Sequence, residues 1–208
     1  MKDLEDGRSR FAPRRGSVRR AASISGSRWL AVRGAAWVER RRRAHRPFAQ
    51  PLAPDVRRAF ERHFEPETLA VVRVHEIPRI GPPWPLVLWR RLRPRALDLG
   101  PIWGITYVDT VVLATDVIDG LRLETCLFHE CVHVAQYRLY GSVGFVRRYI
   151  REWVEAGWRY RGIGLEREAY TLQRRFAAGE AFRVEEELRP GIARGAAGPP
   201  QAPEGPSQ

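Results

Sequence analysis

The sequence predicts an α+β fold: a small sheet followed by helices. Three observations carry this. "ETLAVVRVHEI" and "GITYVDTVVLA" are β-branched segments in the first two thirds of the chain. From residue 121 onward, three segments repeat apolar residues at helical spacing. A chain of 208 residues suits one domain with tails.

The elements follow in order. Residues 1–50 are rich in Arg, Ser, Gly and Ala, and "RRGSVRRAASISGSR" shows no sustained apolar period. They are expected to form a disordered basic extension that can be removed without unfolding the domain. Within it, "SRWLAVRGAAWVERRRR" can make a short, loosely attached helix with Trp29, Val32, Ala36 and Trp37 near one face. The packed domain is expected over 51–182. It opens with "APDVRRAFERHF", where Val56, Phe60 and Phe64 recur every four residues after Pro54. "ETLAVVRVHEI" reads as a strand and residues 78–85 as a loop. Residues 86–101 are apolar and basic with no clear period. "GITYVDTVVLA", 104–114, reads as a single strand with a buried second half.

A helix over 121–139 follows, with Phe128, Val132, Ala135 and Leu139 on one face and Gly141 ending it. The next helix, 143–160, places Val146, Ile150, Trp153 and Val154 inward and Arg147, Arg148, Arg151 and Arg159 outward. The last, 165–178, has Leu165, Ala169, Leu172 and Phe176 on one stripe. Residues 183–208, rich in Gly, Ala and Pro toward their end, are expected to be a disordered tail.

The formal net charge is +12, nearly all of the basic charge being arginine. Such an excess suits an anionic partner surface reached through the Arg-rich segments; a GC-rich genome would give the same composition. No apolar run approaches 18 residues, so no membrane-spanning helix is expected. Asp3, Glu5 and Asp6 open the chain without an apolar stretch behind them, unlike a secretory signal. These features suggest a cytoplasmic protein, at most peripheral to a membrane. Cys126 and Cys131 lie five apart on one predicted helix and point to different faces, which disfavours a disulfide between them.

The chemistry concentrates in "LFHECVHVAQY", residues 127–137. Residues four apart on a helix sit one turn above each other, so His129 and His133 can aim their imidazoles at one point. Two neutral imidazoles suit zinc. Glu130 is rotated by one position and is better placed to act as general base on a water bound to the metal. Catalytic zinc usually has three protein ligands. In "GIGLEREAY", Glu166 and Glu168 begin the last helix, and both flank its apolar stripe, so spacing does not choose between them.

With "HECVHVAQY" and "LEREAY" the chain resembles the gluzincins, zinc metallopeptidases with two His and one Glu as ligands. It is most similar to small bacterial domains of H-E-x-x-H-V-x-Q-Y type, over about residues 52–178. The resemblance implies a small zincin-like sheet on the active-site helix, a peptide or protein substrate paired along 104–110, and zinc held by His129, His133 and Glu166. The related motif is E-x-x-A-D; Ala169 matches its Ala, whereas its Asp, which orients a ligand His, falls on Tyr170. Cys131 stands where Leu is common and should face away from the metal. Tyr160 and Tyr170 are candidates for stabilising the transition state. Two other readings compete: a zinc-binding scaffold without catalysis, and a basic nucleic-acid or membrane-surface protein in which H-E-x-x-H is incidental.

Overall fold

Helix α1 (Gly16–His45) opens the computed structural model, which describes residues 16–81, 102–116 and 120–189. Strand β1 (Gln50–Pro51), helices α2 (Pro54–Phe60) and α3 (Pro66–Val71), and strand β2 (Arg73–Ile77) follow. Strands β3 (Gly104–Tyr107) and β4 (Thr110–Ala114) precede the long helix α4 (Gly120–Glu155) and helix α5 (Gly164–Ala177). A short helix α6 occupies 184–189. The α+β class is thus as expected.

The starts of α2 and α3 follow from local chemistry. Each has Pro in its first turn, where the missing N–H costs nothing, and an acidic residue, Asp55 or Glu67, beside it. Pro66 also explains a difference from the sequence reading. The first part of "ETLAVVRVHEI" is helix α3, and the strand begins only at Arg73.

Among the described residues the sheet has four strands in the order β1-β2-β4-β3; β2 and β4 are parallel, the other pairs antiparallel. "GITYVDTVVLA" is a hairpin rather than one strand, with Tyr107 opposite Thr110. Its turn carries no Gly or Asn, and Val108 takes φ 63°, a conformation glycine usually supplies. Tertiary contacts hold this turn. The Arg42 Nε and Nη2 donate to Asp109 at 2.7 and 2.6 Å, and Arg46 Nη1 lies 2.7 Å from the same carboxylate.

Side chains of β4 alternate between two cores, as a strand covered on both faces requires. Val111 and Leu113 join Phe60, Phe64, Phe128 and Leu172 in one core, whereas Val112 joins Val38, Tyr107, Phe145 and Val146 in the other. Phe128 anchors the first, stacked on Phe176 at 4.2 Å and edge-on to Phe60 at 5.3 Å. Gly141, at φ 66° and ψ 162°, breaks α4 into two arms, 120–140 and 142–155. This is the helix end that the sequence signals, and it turns the second arm toward α1.

The N-terminal expectation is overturned over the described part of 1–50. Ala31, Ala35 and Val38 of α1 are buried. Trp29 and Val32, which the sequence groups near one face of a loosely attached helix, are 59% and 51% exposed. The packed face is made of small residues, which carry little hydrophobic signal but allow close approach. A Cβ on Gly34 would sit 2.7 Å from Val146 Cγ1. Residues 1–15 lie outside the described residues.

The tail expectation also fails at its start. Val184 and Leu188 enter the first core. Glu185 accepts from Thr68 Oγ1 at 2.6 Å and from the Glu65 N–H at 3.2 Å, and Arg183 Nη1 donates to the Glu61 and Phe64 carbonyls. The expected tail over 190–208 and the ambiguous segment over 86–101 lie outside the described residues. Among the described residues, no helix is long and apolar enough to cross a membrane.

Candidate metal centre

The first arm of α4 presents its chemistry between the two cores. Phe128 and Val132 face the first core, and His129, Glu130 and His133 on the neighbouring positions are 5%, 6% and 6% exposed. Helix α5 packs on this arm through Leu165, Ala169 and Leu172, which places Glu166 in its first turn at the same level. Glu166 Oε2 lies 3.3 Å from His129 Nε2 and 3.5 Å from His133 Nε2. The two Nε2 atoms are 3.1 Å apart. One ligand atom from each of the three residues therefore converges within 4.8 Å.

Glu168 is not part of this cluster. It pairs with Arg148 at 2.6 Å and accepts from Gln136 Nε2 at 3.1 Å. Arg148 also holds Glu152, whose Oε2 accepts the Leu165 N–H at 2.9 Å. This network fixes where α5 begins and so where Glu166 stands. Arg148, expected outward, is half-buried in it.

A surrounding set of polar groups orients the three side chains. His133 Nδ1 is 2.7 Å from Gln136 Oε1. Gln136 Nε2 donates to the Leu165 carbonyl and to Glu168, so its oxygen faces the imidazole and Nδ1 is the protonated nitrogen. His129 Nδ1 is 3.1 Å from Gln173 Oε1. Both Nε2 atoms are thereby turned toward Glu166, the orientation that a metal-binding His uses. Tyr149 donates to Glu166 Oε1 at 2.9 Å, and Tyr160 to Oε2 at 2.6 Å.

Sequence reasoning missed both glutamines and Tyr149. Gln136 follows His133 by three residues on one helix, and that spacing was the available signal. Gln173 lies one turn beyond Tyr170, the position matched to the family's Asp. Tyr170 instead lays its ring against His129 at 4.4 Å between centroids.

Two imidazoles and one carboxylate crowd together here, and His133 and Glu166 each shift the other's titration. Burial works against charge on His133, but the Glu166 carboxylate outweighs it and raises the pKa to about 9. Burial likewise works against charge on Glu166, yet the two imidazoles hold its carboxyl well below the usual carboxylate range. A proton on His133 thus does in part what a metal ion would do fully. Two imidazoles and one carboxylate, buried and oriented from behind, form a donor set that could hold a metal ion.

Glu130 stands apart from the cluster. Its Oε2 accepts from Thr106 Oγ1 of β3 at 2.6 Å, and its carbonyl accepts from the same hydroxyl at 3.1 Å. β3 lies close against it at Gly104, where a Cβ would fall 2.6 Å from Glu130 Oε1. Cys131 is fully buried in the first core, on the side expected from the sequence. Cys126 and Cys131 are both free, and burial pushes both thiols up.

His129, Glu130, His133 and Glu166 line one cavity of about 690 Å³. Among the described residues, β3 is the edge of the sheet beside it. The Arg-rich segments are less available than the bare charge suggests. Arg42 and Arg46 are paired with Asp109, and Arg148 with Glu152 and Glu168.

By fold and site this is an α+β chain with a buried two-histidine, one-glutamate group able to hold a metal ion. Comparison with protein-family models, curated proteins and solved structures finds no match.

Proposed function

We propose that the protein is a zinc-dependent peptide hydrolase, with His129, His133 and Glu166 as metal ligands and Glu130 as general base. The single observation that carries this reading is the division of labour among four buried polar side chains. Three converge on one point, and the fourth is held beside them by Thr106 on an edge strand. A zinc ion held by the three would act as a Lewis acid, lowering the pKa of a water and polarising a carbonyl.

The chain's own groups do the rest. Gln136 and Gln173 hold the imidazoles in the ligating tautomer, and Tyr149 and Tyr160 hold the Glu166 carboxylate. Glu130 receives the proton of the attacking water and returns it to the leaving amine. Thr106 occupies Oε2, and among the described residues no hydrogen bond is made to Oε1, which leaves that oxygen for the proton. β3 offers its outer backbone edge to an extended substrate. Tyr160 is engaged with Glu166, which makes Tyr170, 38% exposed and lining the cavity, the better candidate to meet the developing oxyanion.

A scaffold that only binds metal has no use for a buried carboxylate beside its ligands, and this favours catalysis. The decisive experiment compares wild type with Glu130→Gln on a peptide library. The variant should keep its zinc and lose roughly 10²–10⁴-fold in hydrolysis. Equal cleavage by the two proteins would remove Glu130 from its role. No cleavage by zinc-loaded wild type would favour the non-catalytic scaffold.

A further inference from the structure

The metal cluster occupies only one side of its cavity. The same cavity extends between α1 and the second arm of α4, where Trp37, Val38, Phe145, Val146, Ile150 and Trp153 line it. None of these six carries a charge. About 690 Å³ is far more than a water and a metal ion need, and lies within the usual range for sites that enclose an organic group. The polar lining is concentrated at the other side, around His129, Glu130, His133 and Glu166. Ile105 of the edge strand β3 lines the cavity too, so a chain laid along β3 passes beside its apolar part.

We infer that the site selects substrates with a bulky apolar side chain next to the bond that is broken, seated between α1 and the second arm of α4. This inference rests on the hydrolase reading above and adds the substrate class. The apolar chamber is continuous with the metal cluster, so a group bound there is held next to the reacting centre. A charged side chain would lose its hydration among those six residues, which offer no opposite charge; among the described residues, the buried polar atom of this wall left without a partner is the Trp153 indole N–H. The width of the chamber depends on a close helix contact. Gly34 of α1 lies against Val146, where a Cβ would meet Val146 Cγ1 at 2.7 Å. The basic N-terminal helix is thus part of the specificity apparatus, with Val38 and Trp37 as its contribution to the wall.

The test uses the full chain and a series of peptide hydroxamates that differ only in one side chain: Gly, Ala, Leu, Phe and Asp. Binding is read by calorimetry, and zinc content by elemental analysis on the same samples. Affinity should rise from Gly to Leu and Phe by at least about tenfold, since even one methylene in an apolar pocket is worth on the order of tenfold. The Asp compound should bind no better than the Gly compound. Val146→Phe, which fills the chamber, should keep its zinc and its affinity for the Gly compound while losing the gain for Phe. Ile150→Ala, which widens the chamber without adding bulk, covers the case in which Val146→Phe does not fold; it should lower the preference for Leu while keeping zinc.

A flat series in zinc-loaded wild type would overturn the inference. So would a gain for Phe that survives unchanged in both variants. A wild-type protein that holds no zinc would overturn the hydrolase reading and this inference with it. Elemental analysis tells that failure apart from a flat series.

Discussion

Helix α1 and the first arm of α4 are both long helices packed against the sheet, yet they declare themselves in opposite ways. The α4 arm buries large residues at regular spacing, Phe128 and Val132 among them, beside the residues that do chemistry. Helix α1 buries Ala31, Ala35 and Val38 and leaves Trp29, Leu30 and Val32 exposed. Apolar periodicity therefore finds the first and misplaces the second. A face of small residues gains its stability from close approach and from many dispersion contacts, not from bulky apolar side chains. The difference teaches that the N-terminal basic segment belongs to the domain, as a wall of the cavity and as the clamp on the β3–β4 turn.

The largest expected effect comes from removing residues 1–45. The deletion uncovers Tyr107, Val112, Phe145 and Val146 and deprives Asp109 of Arg42. A small domain has only about 5–15 kcal/mol of net stability. The truncated protein should therefore lose its cooperative thermal transition. A sharp transition near the wild-type temperature would show that α1 is an accessory after all.

A smaller effect tests the close approach directly. Gly34→Leu must displace either α1 or Val146, and overpacking of this kind costs about 1–3 kcal/mol. Denaturant unfolding should show the midpoint fall. An unchanged midpoint would mean that the two helices are not held at this distance. On the outer face of the same helix, Trp29→Ser should change stability by no more than about 0.5 kcal/mol, since the ring is 59% exposed.

The α4 arm has a different signature, which is its response to pH. His133 has its pKa lowered by burial, but the Glu166 carboxylate outweighs this and raises it to about 9. Its contribution to stability is fully present below the unfolded value of about 6.5 and is lost as pH rises through about 9. Glu166, depressed by the same contact, gives its contribution above its ordinary range and loses it as pH falls. Zinc must displace the His133 proton, so the stabilisation that zinc confers should grow with pH up to about 9. Thermal melts with and without zinc across that range would show it. A zinc effect independent of pH would place the metal elsewhere.

How much of this was legible depends on what each residue signals. His129, Glu130 and His133 could be read because helical spacing fixes their relative directions. The break at Gly141 could be read because glycine alone takes that backbone conformation easily. The choice of Glu166 over Glu168 could not come from spacing. It is made by Arg148 and Gln136, which engage Glu168 from other turns of α4. The β3–β4 turn was hidden because Val108 is an unusual turn residue, held there through Asp109 by Arg42 of α1 and Arg46 just after it. Long-range contacts of this kind leave no local pattern. Helix α3 was hidden by its β-branched neighbours, although Pro66 marked its start.

Elemental analysis of wild type, Glu166→Gln and Glu168→Gln, all purified without added metal or a histidine tag, tests the central claim most directly. The account predicts one zinc per chain in wild type and in Glu168→Gln, and a sharp loss in Glu166→Gln. Zinc that is retained in Glu166→Gln, or lost only in Glu168→Gln, would contradict it.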